Sequence, residues 1–238
     1  MQTIVMKYSL FFFCLFLVVS CNEHANNNYA PLIEGPLQLE NFDFNTKVTT
    51  LLPENARSKK YKQYYEIQSE MLKVDTILDG EFIGSEKPIR IDYNQRCLSG
   101  KDIMAKFETY SFNAVNLTTT LDNTIMAING LNTNISKSES KSFTERLNKK
   151  YGPAAKTQGK FITPFDIFTW QLKDRIIKYC IAFENGSNTI KLSDDDEDRT
   201  IKTEKAAPHY SAYIFVISKK FADQVIGKIG GGDFLYCE

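Results

Sequence analysis

Residues 136–153 read SKSESKSFTERLNKKYGP, a stretch with both ends of a helix written into it. Ser136 and Glu139 stand three residues apart, the spacing of a capping box, in which the serine hydroxyl and the glutamate carboxylate each satisfy a backbone N–H of the first turn. Phe143, Leu147 and Tyr151 recur at every fourth residue and give the helix one apolar face. Gly152 and Pro153 supply a left-handed cap and a stop. An amphipathic helix of this length must cover something, so the segments on either side decide the fold.

Downstream, residues 161–172 and 176–184 read as two strands around Lys173-Asp174-Arg175. In the second, Ile177, Tyr179, Ile181 and Phe183 alternate with Lys178, Cys180 and Glu184, which predicts one buried and one wetter face. Asn185-Gly186 turns the chain toward a strand at 189–192. Residues 210–217 (YSAYIFVI) form a strongly apolar strand, and 218–227 a helix stopped by glycines. Upstream, residues 117–131 are rich in threonine and isoleucine and read as strand, with Asn129-Gly130 marking a turn.

The first half is strand-rich. Leu37, Leu39, Phe42 and Phe44 suggest a strand with an irregularity near Asn41, and residues 48–52 suggest another, ended by Pro53. Tyr61, Tyr64, Tyr65, Gln68, Met71 and Leu72 fall on one face of a helix over 59–72. VDTIL, Asp79-Gly80, EFIG and PIRIDY give a hairpin signal, and a short helix is expected at 100–107. The fold class expected is α+β, an antiparallel β-sheet with one or more helices packed on one face, preceded by a strand-rich N-terminal half. The organisation expected is a leader at 1–20, a polar tether at 21–36, a strand-rich half at 37–115 and an α+β half at 116–238. The order strand, helix, several antiparallel strands, helix resembles that of TATA-binding-protein-like and helix-grip folds, and implies a helix gripping one sheet face without implying a function.

The start of the chain is an address. Residues 10–19 (LFFFCLFLVV) are too few to cross a bilayer, which takes about 20 apolar residues. They match a signal-peptide core, with Lys7 before them and the small residue Ser20 at the cut. Val18-Val19-Ser20-Cys21 resembles the lipobox of bacterial lipoproteins. The resemblance implies cleavage between Ser20 and Cys21, lipidation of the Cys21 thiol, and anchorage of the mature chain to a membrane. The Asn-rich tether NEHANNNY at 22–29 is similar to that of Bacteroidota lipoproteins. Asn22, in place of a retention aspartate, implies the outer membrane in preference to the inner.

Charge excludes one class of partner. Lys plus Arg and Asp plus Glu number 29 each, and loss of Lys7 with the leader leaves one more acid than base. A nucleic-acid binder is expected to show a basic excess, so none is assigned. Of five cysteines, Cys97, Cys180 and Cys237 remain as thiols once Cys14 is cleaved off and Cys21 is acylated. An exported chain tolerates disulfides, but the spacing does not choose a pair.

The search for chemistry yields little. Of two histidines, His24 lies in the tether, which leaves His209 alone in the domain, after Pro208 at the entrance of a strand. A serine triad around it would be expected to bring a G-x-S-x-G elbow, and the chain has none. Asp194-Asp195-Asp196-Glu197-Asp198 lacks the alternating spacing and glycine of a calcium loop and reads as a solvated loop. GKIGGG at 227–232 follows its helix where a phosphate cradle would precede one, and reads as a cap and a flexible tail. The aromatics Phe165, Phe168, Trp170, Tyr179, Phe183, Tyr213 and Phe215 stand at strand spacing and read mainly as core. Trp170, Tyr179 and His209 are the candidates for a ligand groove. Asp75-Thr76-Ile77 matches the Asp-Thr-aliphatic pattern that Bacteroidota O-glycosylate.

The sequence therefore predicts no catalytic residue, metal site or cofactor. The expected function is a lipid-anchored binding or accessory domain of the cell envelope. Its partner would be an envelope protein, a glycan or a small ligand. The alternatives are an envelope hydrolase using His209 and an immunity-type lipoprotein that blocks a toxin.

Overall fold

The computed structural model describes residues 30–79, 87–95, 102–161, 163–185, 188–192, 201–205 and 207–238, with backbone alone at 188–192 and 201–205. Ser20, Cys21, residues 22–29 of the tether, Gly80, Cys97 and the acidic run at 194–198 lie outside the described residues, and the tether's expected end at 36 is corrected, because Leu32 is fully buried in the core with its N–H on Leu51 O at 2.9 Å.

The fold is dominated by β-sheet. A nine-stranded sheet has the order β2 (Tyr64–Ile67), β3 (Glu70–Asp79), β4 (Lys87–Gln95), β7 (Ala114–Thr119), β8 (Ile125–Ile135), β14 (His209–Ser218), β11 (Arg175–Glu184), β10 (Phe165–Gln171) and β9 (Ala155–Gly159). Every neighbouring pair in it is antiparallel. A small sheet joins β1 (Leu37–Gln38), β5 (Ala105–Phe107) and β6 (Tyr110–Phe112), while β12 (Asn188–Leu192) pairs with β13 (Ile201–Lys205). Among the described residues the α-helices are α1 (Val48–Leu51), α2 (Lys137–Tyr151) and α3 (Ala222–Val225).

The long helix forms where its signals place it. Ser136 accepts from the Glu139 N–H at 3.2 Å, and Glu139 accepts from the Ser136 N–H at 2.9 Å. The Ser136 hydroxyl and then its N–H, both donating to the carboxylate, hold the Glu139 carboxyl below its ordinary range. Phe143 and Leu147 are fully buried, and Gly152 has φ 87°, a conformation that favours glycine. Tyr210 to Ile217 lies within β14, and the hairpin expected around Asp79-Gly80 is the β3–β4 pair.

Five local expectations are corrected. Residues 59–72 form no helix: β2 and β3 make a tight hairpin through Gln68 at φ 49°. Its burial has period two, with Tyr65, Ile67 and Leu72 inside, and tyrosine suits a pleated surface. Residues 48–51 are helical instead of extended and Leu52 caps them, since Val48, Leu51 and Leu52 bury at three- and four-residue spacing. Within 100–107, residues 105–107 are strand β5. Asn129-Gly130 lies inside β8, and the turn falls earlier, at Asn123 with φ 65°. Gly130 is there for close approach: a Cβ would meet Phe112, Leu39 and Ile214 at 3.0 to 3.2 Å. The C-terminal glycines lead into no loose tail, because Ile229, Phe234 and Cys237 are buried under a 3-10 turn at Gly232–Tyr236.

Two cores flank the sheet. On one face, Ile177, Tyr179, Ile214 and Val216 bury with Leu39, Phe42, Phe107, Phe112 and Phe143. On the other, Cys180, Tyr213, Phe215 and Ile217 bury with Phe221, Val225, Ile229, Phe234 and Cys237. The central strands are thus covered on both sides, which overturns the wetter face expected for β11: Lys178 is buried with its ammonium on Glu238 O, and Cys180 is fully enclosed. A strand buried twice reads as an apolar run, as β14 does.

The second face also holds a polar chain. Asn116 Nδ2 donates to Asn129 Oδ1 at 2.8 Å and to Asp233 Oδ2 at 2.7 Å, and Asn129 Nδ2 donates to Ile214 O at 3.3 Å. Burial raises the Asp233 carboxyl above its ordinary value of 3.8, and the Asn116 bond opposes that in part. Because the folded value is the higher, the fold favours the protonated acid. The stability this group contributes is complete below pH 3.8 and is lost as pH rises through the folded value. Asp233→Asn keeps an acceptor for Asn116 and carries no charge. It is expected to be more stable than wild type at pH 7 in urea denaturation, with the difference shrinking toward pH 3. Equal stability at both pH values would refute the assignment.

Candidate functional site

A groove of about 530 Å³ opens between α2 and the strands β9, β10, β11 and β14. The helix contributes Lys137, Ser140, Lys141, Thr144 and Glu145, which share a stripe by their three- and four-residue spacing. The sheet contributes an apolar wall of Phe165, Phe168, Ile181, Phe183 and Tyr210. Phe183 and Tyr210 face each other across the β11–β14 pair, with ring centroids 5.1 Å apart, and Phe183 remains 47% exposed. An aromatic that exposed beside a concavity is unlike the same residue type in a core.

The rim carries balanced charge. Lys156 pairs with Asp166 at 2.8 Å and lies over the Phe168 ring, 5.4 Å from its centroid. Lys141 pairs with Glu145 at 3.8 Å, both well exposed. The floor is tied to the core by Ser140, whose hydroxyl accepts from Tyr179 at 3.1 Å, while Thr144 donates to Ser140 O at 3.0 Å. Burial raises the Tyr179 phenol, and it pushes the neighbouring Tyr110 phenol up to about 12, so both stay neutral donors.

The structure does not gather the three residues expected to form a groove. Trp170 and Tyr179 are buried in the first core, where the indole Nε1 donates to Gly152 O at 3.0 Å and to Asn148 Oδ1 at 3.2 Å. His209 opens β14 opposite Glu184, and its Nδ1 lies 3.0 Å from Ala207 O. None of the three lines the groove. Of the aromatics that do line it, Phe165, Phe168 and Phe183 belong to the set read from the sequence and Tyr210 does not, and strand alternation alone does not distinguish a buried Phe165 from an exposed Phe183. The second stripe on α2, polar and parallel to the Phe143–Leu147 face, is the sequence signal that could have located it. Thr76 of the Asp-Thr-Ile match is exposed on β3.

Among the described residues, no three His, Cys, Asp or Glu side chains converge as metal ligands, and no helix is long and apolar enough to cross a membrane. Comparison of the chain with family models, curated proteins and solved structures returns no match.

Proposed function

We propose that this chain is a lipid-anchored protein of the cell envelope, held to the outer membrane through Cys21, and that its domain is a non-catalytic binding module for a small ligand with an apolar body. The anchor is supported by the resemblance of residues 18–21 to a lipobox behind a short apolar core. The binding role is carried by one observation, the pair of exposed Phe183 and half-buried Tyr210 in the groove beneath the polar stripe of α2. The groove's volume falls within the range of about 300 to 1,000 Å³ usual for small-molecule sites, and an apolar wall with a few polar groups at the rim is their common chemistry. The finer fold belongs to the same reading: an α+β arrangement with α2 laid on one sheet face, supported by the burial of Phe143 and Leu147 with Ile177 and Tyr179.

Two readouts separate the parts of the proposal. Intact mass of the membrane-extracted chain is expected to show a lipid-modified Cys21 at the N-terminus, and Cys21→Ala to leave the membrane fraction. An unmodified, soluble wild type would remove the anchor. Independently, titration with 8-anilinonaphthalene-1-sulfonate is expected to saturate at one site in wild type and to weaken by about tenfold in Phe183→Asp, a loss of roughly 1.4 kcal/mol. Unchanged dye affinity in that variant would remove the groove and leave the anchor standing.

A further inference from the structure

The C-terminal turn brings two cysteines, far apart in sequence, into one pocket of the second core. Cys180, in mid-β11, and Cys237 are both fully buried, and both belong to the apolar cluster that includes Tyr213 and Phe234. The Cys180 thiol donates to Tyr236 O at 3.2 Å. That oxygen belongs to the peptide unit whose nitrogen is that of Cys237, so the Cys180 sulfur sits one peptide plane from the Cys237 α-carbon. The turn is held in this place from several sides. Gly227 N donates to Cys237 O at 2.8 Å, Cys237 N to Phe234 O at 2.9 Å, and Lys160 N to Glu238 Oε1 at 3.1 Å. The Lys178 ammonium bonds Glu238 O. Stacking of Tyr213 on Tyr236, with centroids 4.1 Å apart, holds the residue before Cys237 against the sheet.

We propose that Cys180 and Cys237 form a disulfide that staples the C-terminal turn to the central sheet. The inference goes beyond the proposed function and rests on neither the anchor nor the groove. The oxidant is a small disulfide of the glutathione class. One protein thiol loses its proton, attacks the S–S bond of the reagent and releases one glutathione thiolate. The second protein thiol then displaces the remaining glutathione, so two protein thiols lose two protons and two electrons and one glutathione disulfide becomes two glutathione thiols. Burial raises the Cys180 thiol and pushes that of Cys237 up to about 12, which keeps both protonated in the folded chain. The bond therefore forms during folding, as the turn docks on β11 and before the thiols are enclosed, and exchange into the folded protein is slow.

The test uses the full chain, purified in detergent, unfolded, and refolded with oxidised and reduced glutathione. It is then alkylated and digested without reduction for mass spectrometry. The expected product is a peptide pair joining Cys180 to Cys237, retained in Cys97→Ala. In wild type, a reductant is expected to lower the melting temperature by on the order of 10 °C, as for a cross-link closing a loop of about 60 residues. The Cys180→Ala/Cys237→Ala double variant is expected not to respond to reductant. Free thiols at both positions, or a bond from either one to Cys97, would overturn the proposal. The mapping on wild type decides the matter even if the double variant fails to fold.

Discussion

Phe143→Ala is expected to lower the unfolding free energy by about 3 to 5 kcal/mol, the cost of truncating a fully buried phenylalanine where the surroundings are unable to collapse into the gap. Its ring is in contact with aromatics from three directions. Tyr110 stacks on it at 4.4 Å, Tyr179 meets it edge-on at 5.0 Å, and Phe107 and Phe112 approach at 6.0 and 6.4 Å. Tyr110 and Phe112 belong to β6, Phe107 to β5 and Tyr179 to β11, so this one side chain of α2 joins the small sheet to the large one. Aromatic pairs in such geometries contribute about 0.5 to 1.5 kcal/mol beyond the area they bury. Urea denaturation followed by the single tryptophan measures the loss. Lys141→Ala, on the exposed side of the same helix, serves as the control and is expected to change stability by less than about 0.5 kcal/mol. A loss below about 1 kcal/mol in Phe143→Ala would mean that α2 does not hold the two sheets together.

Trp170→Ala is the second large effect, expected at about 3 to 5 kcal/mol. Trp170 is 2% exposed, and its indole donates to Gly152 O, just past the end of α2, and to Asn148 Oδ1, which also accepts from Ala154 N at 2.9 Å. The side chain from β10 therefore completes the C-terminal cap of the helix. Helix ends leave carbonyls without intrahelical partners, and a buried one without a donor costs about 1 to 3 kcal/mol. Trp170→Phe keeps most of the apolar bulk and removes only the donor, so it is expected to lose about 1 to 3 kcal/mol, read by circular dichroism because the fluorophore is gone. If Trp170→Phe matches wild type, packing alone accounts for the residue, and the helix end is satisfied in some other way.

These two residues mark where local reading succeeded and where it stopped. Phe143 was legible as the buried face of a capped helix because the cap, the four-residue spacing and the Gly-Pro stop all act within the span of the helix itself. Trp170 was legible as an aromatic in a strand, but its partner lies 18 positions back in the chain, on the far side of strand β9. The same limit explains the corrected elements. Tyr64 to Leu72 carries both helical and alternating patterns, and pairing of β2 with β3 selected the alternating one. Asn129-Gly130 has the composition of a turn, yet Asn129 is fully buried among Asn116 and Ile214 O, and Gly130 makes room for Phe112.

From the sequence alone came the capped helix and the apolar strands of the second half. All of these depend on interactions between residues a few positions apart. Only the tertiary structure decided that β11 and β14 are covered on both faces, that the glycine-rich C-terminus is part of a core, that Cys180 lies beside Cys237, and that Phe183 and Tyr210 are the aromatics left half-open beside α2. Strand spacing states that alternate residues share a face. Which face is buried, and by what, is set by segments that meet only when the chain has folded.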